Sequence, residues 1–145
     1  MTYKQVYQIL LQFAKLTKWQ VVEREIKDRS VDGYIDVVPR RIIIDTKQSV
    51  KRRCVTLSHE LIGHGMQWDS NKKKFRRFFN AFRLPNTKEN RHYISYVEIN
   101  ASKRAAKFLK AIGIKRAEKL FEELNKGDDI KWLKIFWEDR YLQDR

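Results

Sequence analysis

His59 and His64, five positions apart with an acid directly after the first, set the tightest geometric condition on this chain. The residues leading into them, from Ser49 through Cys54, Leu57 and Leu61, have apolar side chains at helical spacing and predict a helix that starts near Ser49. A regular helix turns about 100° per residue, so an offset of five carries the second imidazole roughly 140° around the axis from the first. The two rings can face one point only if the helix contains a wider turn. A π-bulge absorbs one extra residue and tends to occur at functional sites, and Gly63 and Gly65 on either side of His64 ease such a distortion.

Zinc binds a few nitrogen, oxygen or sulfur ligands, and a hydrolytic zinc site leaves one position for the attacking water. In the common H-E-x-x-H arrangement both histidines project from one helix face and the glutamate reaches that water. A third ligand is then needed. Ile94, Glu98, Ala101, Ala105, Phe108 and Ile112 follow three-four spacing on an expected helix at residues 89–112, and Glu98 interrupts an otherwise apolar stripe. A carboxylate aimed at a core requires a partner, which a metal ion would provide, and the small Ala101 and Ala105 would let this helix come close to the histidine helix.

The rest of the chain predicts an amphipathic helix at residues 3–17, strands at 19–26, 34–38 and 42–44, and a turn at Asp32-Gly33. Asn71 is a candidate cap for a helix with Phe75, Phe78, Phe79 and Phe82 on one side and Lys72, Lys73, Lys74, Arg76, Arg77 and Arg83 on the other. Pro85 closes that helix, and Gly113 stops the longer one after it. Two scaffold helices at 114–126 and 129–142 would be buried through Leu120, Leu124, Leu133, Phe136 and Trp137. With only 5 Gly and 2 Pro there is no linker, so residues 1–145 are expected to form one domain.

The segment His59-Glu60-Leu61-Ile62-Gly63-His64, followed by Gly65, resembles the H-E-x-x-G-H motif of dipeptidyl peptidase III, in which two histidines with the extra residue both bind zinc. That likeness is local, because members of that family are several times longer. The wider order, Arg41-Ile42-Ile43-Ile44-Asp45, then Thr56-Leu57-Ser58-His59-Glu60, then a later glutamate helix, resembles the ImmA/IrrE-type metallopeptidases of mobile elements and stress responses. It covers about residues 35–110 and departs from that group in the histidine spacing, which there is usually four. Glu98-Ile99-Asn100-Ala101 is similar to the E-x-x-A third-ligand motif of both families.

The resemblance implies an α+β, zincin-like fold, mainly helical, with a small two- or three-stranded sheet before the active-site helix. It implies Zn2+ held by His59, His64 and Glu98, with Glu60 as general base. Oxyanion stabilisation in zincins often comes from a His, Tyr or Arg near the third ligand, which points to His92, Tyr93 and Tyr96. Their offsets of six, five and two residues put none of them on the Glu98 face of a regular helix, and His92 leads if the helix starts later. The ordinary reading of His92 is a helix-start residue, and that of Cys54 is a small buried hydrophobe.

The expected function is therefore a zinc peptidase acting on a protein or peptide substrate, with the strand near residues 41–45 adding main-chain hydrogen bonds to it. Lys and Arg number 32 against 18 Asp and Glu, and the resulting charge of +14 suits an acidic substrate or a DNA-bound regulator. A second expectation, from a different class, is a basic nucleic-acid-binding protein whose metal site is structural or lost. A single cysteine excludes an intrachain disulfide and suits the cytoplasm, and no apolar stretch approaches the roughly 20 residues needed to span a bilayer.

Overall fold

The computed structural model describes residues 1–27 and 31–125. Short polar side chains set where four of its helices begin. Thr2 and Gln5 form a reciprocal capping box at the start of α1 (Tyr3–Leu16). Ser49 accepts from the Arg52 backbone N–H and opens α2 (Val50–Ser58), which runs through His59–His64 into α3 (Gly65–Ser70). Asn71 caps α4 (Lys72–Ala81), as its sequence position predicts, and Thr87 caps α5 (Lys88–Ala111). Gly113, at φ 119°, takes the left-handed conformation that ends α5, and α6 (Ala117–Asn125) follows. The expected helix at 129–142, and with it Leu133, Phe136 and Trp137, lies outside the described residues, as does the side chain of Leu124.

Between α1 and α2 the chain forms β1 (Gln20–Arg24), β2 (Gly33–Asp36) and β3 (Arg41–Asp45). The sheet order is β1-β3-β2, with β1 parallel to β3 and β2 antiparallel to it. A run of three isoleucines is what a central strand needs, and Ile42, Ile43 and Ile44 are all fully buried. This order corrects one expectation: both edges of β3 are already paired, so residues 41–45 have no free main-chain groups for an extended substrate. The free edges belong to β1 and β2, and β2 lies against the His59–His64 segment.

The architecture is thus α+β, mainly helical, with a three-stranded sheet ahead of the histidine-bearing segment. Val6 and Leu10 of α1 and Cys54 and Leu57 of α2 belong to one core that continues through Ile94, Ala105 and Leu109 of α5 to Leu120 and Phe121 of α6. Phe75 and Phe78 of α4 are buried in it, and Phe79 and Phe82 pack at its margin, as the three-four spacing of the phenylalanines requires. Among the described residues no helix is long and apolar enough to cross a membrane.

Candidate metal centre

Residues His59–His64 form a π-helical turn, the widening that a five-residue histidine spacing demands. The turn brings the two imidazole centroids to 4.7 Å, with the rings nearly perpendicular at 88°. Gly63 is required there for closeness rather than for backbone freedom. A Cβ at that position would sit 2.6 Å from the Ala101 carbonyl oxygen and 2.7 Å from the Ala101 Cβ, so the turn and α5 touch backbone to backbone. Gly65, by contrast, has ordinary right-handed helical angles, and a Cβ there would only make van der Waals contact with Trp19 at 3.5 Å.

Glu98 reaches the histidine pair from α5. His64 Nε2 lies 2.7 Å from Glu98 Oε1, and His59 Nε2 lies 3.2 Å from Glu98 Oε2. Glu60 is buried beside them, and one ligand atom from each of His59, Glu60 and His64 falls within 4.8 Å of the others. This group could hold a metal ion. Its donor set of imidazole nitrogens and carboxylate oxygens is one that zinc and other divalent transition metals accept. Phe78 stacks on the His64 ring at 5.2 Å and Phe75 meets its edge at 5.5 Å, which gives the site a dry wall.

The far side of each ring is held as well. His59 Nδ1 is 3.0 Å from Ser102 Oγ, and His64 Nδ1 is 2.8 Å from Gln67 Oε1. Gln67 spends its amide hydrogens on the Val97 carbonyl and on Asn100 Oδ1, which also accepts from Arg104 Nε. With its NH2 committed, Gln67 can only accept from His64, so Nδ1 of His64 carries the hydrogen. The neutral ring then keeps its lone pair on Nε2, the atom that faces Glu98 and Glu60, which is the tautomer a metal ligand needs.

The ionisable groups are strongly perturbed. Burial alone would lower the His64 pKa, but the Glu98 carboxylate outweighs it and raises the value to about 9. Burial would raise that of Glu98, yet the two imidazoles hold it well below the usual carboxylate range. For Glu60, burial pushes the pKa up, His64 and His59 pull it down, and the nearby Glu98 pushes it up again, leaving it raised. Two acids of the same type are thus driven in opposite directions: Glu98 stays ionised against the rings, and Glu60 is poised to carry a proton.

His92 is exposed, six residues before Glu98 on α5, about 9 Å along the axis and roughly 120° around it on a regular helix. Tyr96 is 61 % exposed, while the Tyr93 hydroxyl is buried without a hydrogen-bond partner. Among the described residues, no hydrogen bond, ion pair or ring contact joins any of these three to His59, Glu60, His64 or Glu98. The structure therefore brings together His59, Glu60, His64 and Glu98 and leaves His92 apart. Cys54 donates to the Tyr3 carbonyl in the core, and burial pushes its thiol up to about 12, as suits an inert side chain. Sequence reasoning did not find Gln67, Asn100, Ser102 or Arg104. The signal for two of them was helical spacing: Gln67 lies three residues after His64, and Ser102 four after Glu98.

No protein-family model matches the sequence, and no curated protein or solved structure matches it.

Proposed function

We propose that this protein is a zincin-like zinc peptidase with His59, His64 and Glu98 as metal ligands and Glu60 as general base. The observation that carries the reading is the meeting of both histidine Nε2 atoms on the Glu98 carboxylate, beside a buried Glu60. A zinc ion in this position supplies Lewis-acid polarisation of a scissile carbonyl and acidifies a water molecule. The chain's own part is to orient ligands and to move a proton. Gln67 and Ser102 fix the ring tautomers and directions, so Nε2 rather than Nδ1 faces the site. A carboxylate oxygen of Glu60 takes the proton of the attacking water and delivers it to the leaving amine, a role that a raised pKa suits near neutrality. The free edge of β2, next to the π-turn, is the strand that can align an extended peptide by main-chain hydrogen bonds. A reducing, cytoplasmic setting and an acidic or DNA-bound protein substrate accord with the single cysteine and the +14 charge.

The test is metal content by mass spectrometry together with hydrolysis of a peptide library. Wild-type protein should bind about one zinc per chain. Glu60→Gln should keep the metal and lose on the order of 10²–10⁴-fold in rate. A wild-type protein that takes up no added zinc would sink the reading.

One observation favours a second function. Lys72 Nζ and the Arg76 guanidinium lie over the Trp68 ring at 5.5 Å and 5.3 Å, so α4 presents aromatic and basic groups together, as single-stranded nucleic-acid sites do. Salt-sensitive DNA binding that survives chelation of the metal would support that reading.

A further inference from the structure

Behind the wall of the metal centre lies a cavity of about 340 Å³ between α3, α4 and α5. Its volume falls in the range of small-ligand sites. Its lining includes two cationic side chains, Lys74 and Arg104, and no aspartate or glutamate. Among the described residues neither cation has a carboxylate partner, and Arg104 is engaged only through its Nε, with Asn100. The Tyr93 hydroxyl is buried and without a hydrogen-bond partner, and Tyr93 lines the same cavity, so it offers an unspent donor. Phe75 and Phe78 supply apolar walls for an aliphatic stem.

The cavity shares two walls with the metal centre. Gln67 lines it with the same side chain that accepts from His64, and Phe78 lines it while stacking on the His64 ring. We infer that this cavity is a carboxylate-binding subsite that takes an acidic side chain beside the metal centre, with Lys74 and Tyr93 as its recognition groups. Calling that side chain part of a substrate rests on the peptidase reading; the binding itself does not. The chemistry is a carboxylate at the end of a short apolar stem, which a cation and a phenol hydroxyl together recognise better than a neutral amide of the same shape.

The experiment is an NMR titration of the full chain with N-acetylglutamate N-methylamide, with its glutamine counterpart, and with inorganic phosphate. The glutamate probe should shift the amide signals of Gln67, Asn71 and Tyr93 and bind about tenfold tighter than the glutamine probe, the worth of one charge-assisted hydrogen bond. Lys74→Gln should remove about that tenfold preference, Tyr93→Phe a smaller part of it, and Lys103→Gln, an exposed change on α5 outside the cavity, none. Equal binding of the two probes overturns the inference, as does an equal loss in Lys103→Gln, which would reduce the effect to net charge. Lys74-dependent binding of phosphate without binding of the glutamate probe overturns the carboxylate assignment. No probe is hydrolysed in these measurements, so an inactive protein that still binds the glutamate probe would sink the peptidase reading and leave the subsite standing.

Discussion

Two helix contacts in this molecule are built on opposite terms. Where α1 meets α2, Val6, Leu10, Cys54 and Leu57 are all fully buried in a regular, uncharged interface. Where the π-turn meets α5, the contact is Gly63 against Ala101, flanked by His59, Glu60, His64 and Glu98. The first contact gains roughly 1.5–3 kcal/mol for each large side chain it removes from water. The second gives up most of that apolar burial and places four ionisable groups in a low-dielectric setting, which is unfavourable unless each is paired. The difference teaches that stability is concentrated in the α1–α2 half, and that the π-turn and α5 are arranged for ligand geometry.

Glu98→Ala should break the contrast most severely. It removes the carboxylate that pairs both rings, and in metal-free protein near pH 5.5 it should cost about 3 kcal/mol in urea unfolding, because His64 must stay unpaired or give up its proton. A loss close to zero would mean that the rings do not depend on Glu98. Next comes Gly63→Ala, whose methyl group would force the turn and α5 apart at a cost of about 1–3 kcal/mol. Gly65→Ala is its internal control: the added Cβ meets only an ordinary contact, so stability should stay level or rise by up to about 1 kcal/mol. Equal effects of the two substitutions in calorimetry would refute the close-approach explanation. Gln67→Ala should leave the fold intact and weaken zinc affinity about tenfold or more in competition with a chelator, since it frees the far side of His64.

The smallest expected effect is on pH dependence, and its sign follows from the shifts. The His64 pKa is raised from 6.5 to about 9, so its contribution to metal-free stability is complete below 6.5 and is lost as pH rises through about 9. Glu98 is lowered, so its contribution is present above 4.5 and is lost only in stronger acid. Glu60 is raised above 4.5 and therefore opposes folding as it ionises. Metal-free protein should accordingly be most stable between 4.5 and 6.5 and weaken toward 9. A cation takes the place of those protons, so the rise in melting temperature on adding zinc should be larger at about pH 8.5 than at about pH 6. A zinc-induced rise that is the same at both would contradict the assignment of His64 as a ligand.

Local chemistry made much of this fold legible. Ser49, Asn71 and Gly113 mark helix ends through caps and backbone conformation that depend on a few neighbouring residues. The apolar stripe containing Glu98 marked the buried face of α5, since Ile94, Ala101 and Ala105 are fully buried. The wide turn was legible because the histidine spacing admits no regular helix. Strand order was not, because periodicity says that 41–45 is a strand but not that two others flank it. The chain of hydrogen bonds from Arg104 through Asn100 and Gln67 to His64 links residues brought together only by the packing of α3 on α5. The expected reason for Gly63 was also incomplete: the constraint comes from Ala101, 38 positions away in sequence, and no local pattern carries it.

The π-turn has a consequence for descent as well as for geometry. One extra residue in a turn shifts the azimuth of everything after it by about 100°. Deleting Ile62 would give the histidines the common spacing of four, but it would also swing Trp68 away from Phe75 and Gln67 away from Val97 and Asn100. A relative with the shorter spacing would therefore need a rotated α3 and different partners along α4 and α5. In this chain the length of one turn is inherited together with the whole surface that it aims.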